Sequence, residues 1–194
     1  MGVQPAAFVT VLASAGVAIG LALQGSLSNI AGGCLILLTR PFIVGDYIVE
    51  DGHGNEGTVM AIDLFYTRIK TTQNKIIVVP NGVISSNSLT NVTRQEELLL
   101  DIRVGIGYDD DLLKAKEILK EVAATSDFNT RVDEVTIFVD ELGESSINLG
   151  VRFWVPSGQY HPARWDTNER IKLALDKEGI NIPYNQLDVH MINN

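Results

Sequence analysis

Polarity along this chain is unevenly distributed, and the beginning is its most one-sided part. From Ala6 to Leu38 there is no charged residue, and the first Asp, Glu, Lys or Arg to occur is Arg40. A helix needs roughly 20 apolar residues to cross the ~30 Å hydrocarbon core of a bilayer. Ala6 to Leu23 nearly supplies them, so the pattern predicts a membrane helix. At 100° per residue, Ser14, Val17, Leu21 and Gln24 share one sector. Ala13, Gly16 and Gly20 flank it on one side, and Ala18, Ala22 and Gly25 on the other. Phe8, Leu12, Ile19 and Leu23 lie at the back. Small residues let membrane helices approach closely. Two small-residue flanks beside one apolar stripe favour a ring of identical helices over a single helix buried in its own chain, for which one small face would suffice. Gln24-Gly25 weakens the helix, and Ser26 or Ser28 is placed to cap a second, shorter segment from Leu27 to Leu38. Arg40-Pro41 ends that segment, because the residue before Pro is pushed out of the helical region.

Beyond Arg40 the period changes. Asp51-Gly52 and Gly54-Asn55 are turn signals. Thr58–Ile62, Phe65–Thr71 and Lys75–Val79 read as strands, with Pro80-Asn81-Gly82 closing the last by turn chemistry. Short strands at such tight spacing predict a small barrel-like β domain. From Leu98, alternating Leu98, Leu100, Ile102 and Val104 give a strand. A helix follows, capped by Asp109 or Asp110 and carrying Leu112, Ala115, Leu119 and Val122 on one face. Val135–Val139 and Ile147–Val155 read as strands, and a helix runs from about Pro162 to Glu178 with Gly179 at its C-terminus. Leu187, Val189 and Met191 form a closing alternation. The order is β-α-β-β-α-β, a split βαβ arrangement.

Composition narrows the function. The net charge is −9, all of it from Arg40 onward, and Leu99 to Asn194 holds 17 acidic against 10 basic residues. Such a body is a poor partner for a phosphate backbone, and no aromatic–basic cluster offers an RNA surface. Cys34 is the only cysteine, which excludes an intrachain disulfide and a Cys-based zinc site; its apolar neighbours predict a buried thiol. His53, His161 and His190 have no ligand-like spacing, so no metal is expected. Gly105-Ile106-Gly107 lacks the third glycine of a dinucleotide fingerprint and stands beside Asp109-Asp110-Asp111, which is read as a helix cap rather than a cation site. With no nucleophile–base set or paired carboxylates, an enzyme is not indicated, and no cofactor is expected. The start lacks the basic n-region of a secretory signal.

Several motifs together resemble the small-conductance mechanosensitive channel (MscS) family: Gly20-Leu21-Ala22-Leu23-Gln24-Gly25-Ser26-Leu27-Ser28-Asn29, then Arg40-Pro41-Phe42 with Gly45-Asp46, then Glu56-Gly57-Thr58-Val59. Val79-Pro80-Asn81-Gly82, Ser145-Ser146-Ile147-Asn148 and Gly179-Ile180-Asn181-Ile182-Pro183-Tyr184 complete the set. They follow the family's order and extend from Ala13 to Val189.

The resemblance implies a membrane pore helix and kinked interfacial helix (1–39), a small all-β Sm-like domain (40–97) and an α+β vestibule domain of split βαβ, ferredoxin-like type (98–186). Residues 187–194 would give one strand to an oligomeric β-barrel. It further implies a homoheptamer in the cell's inner (plasma) membrane, multi-pass in the full-length protein, with the C-terminal body cytoplasmic. Its partners would be membrane lipid, ions and small solutes, and its role would be tension-gated relief of hypo-osmotic stress. Val17 and Leu21 match the pore constriction. Ala13, Gly16, Ala18, Gly20 and Ala22 match the helix-packing surface, Gln24 and Gly25 the kink, and Arg40 the interface. The family's tension-sensing helices would precede this sequence, as if it were a fragment. Three positions depart from the family: Ile43 stands where a basic residue is frequent, Asn185 where a second proline is common, and Val17 is smaller than the usual Leu. A membrane-tethered oligomeric binding or scaffold module without conductance is the alternative.

Overall fold

The computed structural model describes residues 5–187. These divide into two compact units, Met1–Arg94 and Gln95–Asn194.

The first unit opens with α1 (Pro5–Thr39), a single helix of 35 residues. The expected separation into two helices at Gly25 is not seen, and neither Ser26 nor Ser28 serves as a cap. One Gly costs a helix about 1 kcal/mol relative to Ala but keeps its N–H in the ladder, so continuity is the cheaper outcome. The helix does end where Arg40-Pro41 predicts. Arg40 takes a left-handed φ of 48°, and its N–H donates to the Ile36 carbonyl at 2.8 Å, the αL form of helix termination.

Five strands follow: β1 (Tyr47–Glu50), β2 (Asn55–Ile62), β3 (Tyr66–Lys70), β4 (Ile76–Pro80) and β5 (Leu89–Asn91). They form one antiparallel sheet in the order β4-β3-β2-β1-β5. Phe42, Ile48, Val59, Ile69, Val79 and Ile84 are buried at its core, joined by Ile36 of α1. Pro80-Asn81-Gly82 is not a turn: it opens α2 (Asn81–Ser86). Pro80 supplies a fixed φ, and the Asn81 N–H is tied to the Phe65 carbonyl at 2.9 Å, which turns the chain directly into a helix.

The second unit contains β6 (Glu97–Ile106), α3 (Leu112–Ala124), β7 (Thr136–Leu142), β8 (Ile147–Pro156) and α4 (Tyr160–Lys177). The sheet order is β6-β8-β7, with β8 antiparallel to both neighbours. β6 and β7 are therefore parallel, separated by β8 and connected through α3. Alternation along β8 buries Ile147, Leu149, Val151, Phe153 and Val155 against Ala115, Leu119, Ile171 and Leu175 of the two helices. The α3 cap is Asp111, whose carboxylate accepts from the Leu113 and Lys114 N–H groups, not Asp109 or Asp110. Asp110 is taken by the Gly107 and Asn181 N–H groups, at 2.9 and 3.0 Å. Gly179, at φ 75°, follows α4 as expected. Of the closing alternation, Leu187 is exposed and in no strand; Val189, Met191 and His190 lie outside the described residues, as does the barrel segment expected there.

Candidate functional site

α1 has two halves with opposite surroundings. Every residue from Phe8 to Ser28 is exposed. Val17 and Leu21 are 64% and 67% exposed, and a Cβ added to Gly16, Gly20 or Gly25 would meet nothing within 4 Å. Ala13, Ala18, Ala22 and Gln24 are equally uncovered. The stretch from Phe8 to Thr39 contains an 18-residue window of mean hydropathy 1.8 and qualifies by length and composition to cross a membrane. A core helix of a soluble domain would pass the same test, but it would be buried by its own chain, and this one is not. The hydroxyls of Ser14 and Thr39 donate back to the Thr10 and Leu35 carbonyls, each at 2.8 Å, so they present no unmet donor to an apolar surrounding. Cys34, expected to be buried, is exposed, because only the opposite face of α1 packs on the chain.

That packed face is a close backbone clasp. Gly32, Gly33 and Ile36 are buried. A Cβ on Gly32 would fall 2.6 Å from the Asn81 carbonyl oxygen, and one on Gly33 2.7 Å from the Leu64 carbonyl oxygen. The Gly82 N–H donates to Asn29 Oδ1 at 2.9 Å. Asn81 is fully buried and holds the clasp from beneath. Its Nδ2 donates to the Asp63 and Leu64 carbonyls, and its Oδ1 accepts from the Thr67 hydroxyl at 2.8 Å. Sequence reading missed this site, although Asn81-Gly82 and Asn29 stood in the quoted motifs and Gly32-Gly33 was visible as a glycine pair.

At the other end of α2 sits Glu50, fully buried. Burial alone pushes its pKa up, but hydrogen bonds from Asn87, Asn55, His53 and Gly52 outweigh that and hold the carboxyl below the usual range. Arg40 is exposed where α1 ends. Among the described residues, no group of three or more His, Cys, Asp or Glu side chains could hold a metal ion.

The described residues thus hold an uncovered apolar helix, long enough to cross a membrane and clasped at one end to a folded β unit, the arrangement of a membrane-attached protein. The comparisons sharpen this. The family model described as "Mechanosensitive ion channel, beta-domain" matches residues 25–94, and "Mechanosensitive ion channel MscS, C-terminal" matches residues 100–182. The small-conductance mechanosensitive channel of Edwardsiella ictaluri is 43% identical over 178 residues, covering 92% of this chain and 62% of that protein. That of Helicobacter pylori is 32% identical over 195 residues, covering 100% of this chain and 70% of the relative. The crystal structure of Helicobacter pylori MscS in its closed state superimposes with a TM-score of 0.91 at 32% identity, over 100% of this chain and 76% of that one. This chain belongs to the MscS family of mechanosensitive ion channels. It spans about two thirds of the length of these curated relatives.

Proposed function

We propose that this chain is a subunit of a homoheptameric channel of the plasma (inner) membrane, opened by membrane tension, that passes ions and small solutes and relieves hypo-osmotic stress. The observation that carries the reading is the uncovered run from Phe8 to Ser28, with small residues on both flanks of a Val17–Leu21 stripe. Copies of α1 packing through Ala13, Gly16, Ala18, Gly20 and Ala22 would bring that stripe to a common axis. A narrow apolar constriction at Val17 and Leu21 blocks ions by dewetting, without any lid. Tilting or sliding the small-faced helices widens it, and tension favours the wider state because it occupies more membrane area. Bending at Gln24-Gly25 would accommodate that movement.

α1, at 1.5 Å per residue, is about 52 Å long, well beyond the ~30 Å hydrocarbon core. Its clasped half therefore extends past that core, on the cytoplasmic side in this reading, and bending at Gln24-Gly25 would lay it along the membrane surface with Arg40 at the lipid interface. The β unit then serves as an Sm-like ring and the α+β unit, of ferredoxin-like type, as the vestibule wall. In the full-length protein further membrane helices precede α1. The test is Leu21→Ser in the full-length protein, recorded in membrane patches under suction. A polar ring holds water, so opening is expected at lower tension; an unchanged opening tension would remove Leu21 as the gate.

A further inference from the structure

We propose that Glu50 is a positioning residue for the pore helix, acting through Asn87 and α2. This rests on the channel reading above. α2 has six residues, too few to be a stable helix by itself, so its place is set by what grips its ends. One end is the clasp, where Gly82 is bonded to Asn29 of α1. At the other end Asn87 Nδ2 donates to Glu50 Oε1 at 2.7 Å.

The Glu50 carboxylate receives three more donors, all from the hairpin that follows it: the Gly52 N–H at 2.8 Å, the His53 N–H at 3.1 Å and Asn55 Nδ2 at 3.0 Å. His53 Nδ1 also stands 3.4 Å from Oε2. The hairpin thus provides for the carboxylate locally, and Asn87 is the outgoing link. Gly52 is shaped to admit it: a Cβ there would lie 2.3 Å from Asn87 Nδ2 and 2.5 Å from Glu50 Oε1. Burying a carboxylate is costly. An ionised carboxylate is, however, an acceptor at both oxygens, and it can converge hairpin donors and Asn87 on one point. A glutamine cannot, because its NH2 would face donors. The result is a short helix braced between the β1–β2 hairpin and the pore helix.

The inference is tested in the full-length protein by measuring opening tension in reconstituted liposome patches alongside thermal unfolding. Glu50→Gln and Asn87→Ala are expected to shift the midpoint tension in the same direction, and their combination to shift it no further than the larger single change. Lowered thermal stability with wild-type opening tension in both single variants would overturn the inference, as would additive shifts. A wild-type protein that carries no current would instead overturn the channel reading itself.

Discussion

Asn29 Oδ1 accepts a 2.9 Å hydrogen bond from the Gly82 N–H, joining α1 to α2 across 53 residues of sequence. The contact is close on both sides: a Cβ on Gly82 would lie 2.9 Å from Ser28 Oγ and 3.0 Å from Asn29 Oδ1. Asn29→Ala leaves the Gly82 donor half-buried without its partner. We expect a loss of about 1–2 kcal/mol in stability, read as a lowered unfolding midpoint of the detergent-solubilised protein. An unchanged midpoint would mean that the bond contributes nothing net.

The glycines of α1 separate into two classes that one substitution can distinguish. Gly33→Ala forces a Cβ to 2.7 Å from the Leu64 carbonyl oxygen, and overpacking of this kind costs about 1–3 kcal/mol. Gly20→Ala meets open space within the chain and gains helix propensity of about 1 kcal/mol. Gly33→Ala should therefore lower subunit stability while Gly20→Ala does not. If neighbouring copies pack at Gly20, that variant instead shifts the opening tension of the full-length channel. Thermal unfolding and patch recording report the two effects separately.

Glu50 makes stability depend on acid. Its folded pKa lies below its ordinary value, because the hydrogen bonds to the carboxylate outweigh the opposing effect of burial. A glutamate of the unfolded chain titrates near pH ~4.3. The stabilisation is therefore fully present above that pH and is lost as pH falls through the lower folded value. His53 is the ionisable neighbour within 3.4 Å. Stability of Glu50→Gln should lie below wild type at neutral pH, and the gap should narrow on acidification below about pH 4. A gap independent of pH would contradict the assignment.

The cap of α3 offers a local check. Asp111→Ala should cost about 1 kcal/mol. Asp109→Ala, at a residue that caps nothing, should be nearly neutral. The measurement is the difference in denaturant midpoint between the two variants.

These predictions also mark what the chain reveals before it folds. The uncharged run, the alternation of β8 and the helical face of Ala115, Leu119 and Val122 were legible because each depends on a period within one element. Helix ends are less so: Asp109, Asp110 and Asp111 offer the same carboxylate chemistry side by side, and only backbone geometry selects Asp111 as the cap. Continuity of α1 through Gly25 reflects a small local penalty that the flanking helix overrides. The clasp was not legible as a site, because Gly32, Gly33, Asn29, Asn81 and Gly82 meet only after the sheet has brought α2 against α1. Val17 and Leu21 are the reverse case. Their pattern is plain in sequence, and the described residues leave them uncovered, so the role proposed for them rests on contacts outside these residues.

The central claim is most directly tested by recording from the full-length protein in liposome patches under a suction ramp. The account predicts stepwise current that appears at a reproducible tension and disappears when suction is released. Silent patches up to the point of rupture, from membranes shown to contain the assembled protein, would contradict it.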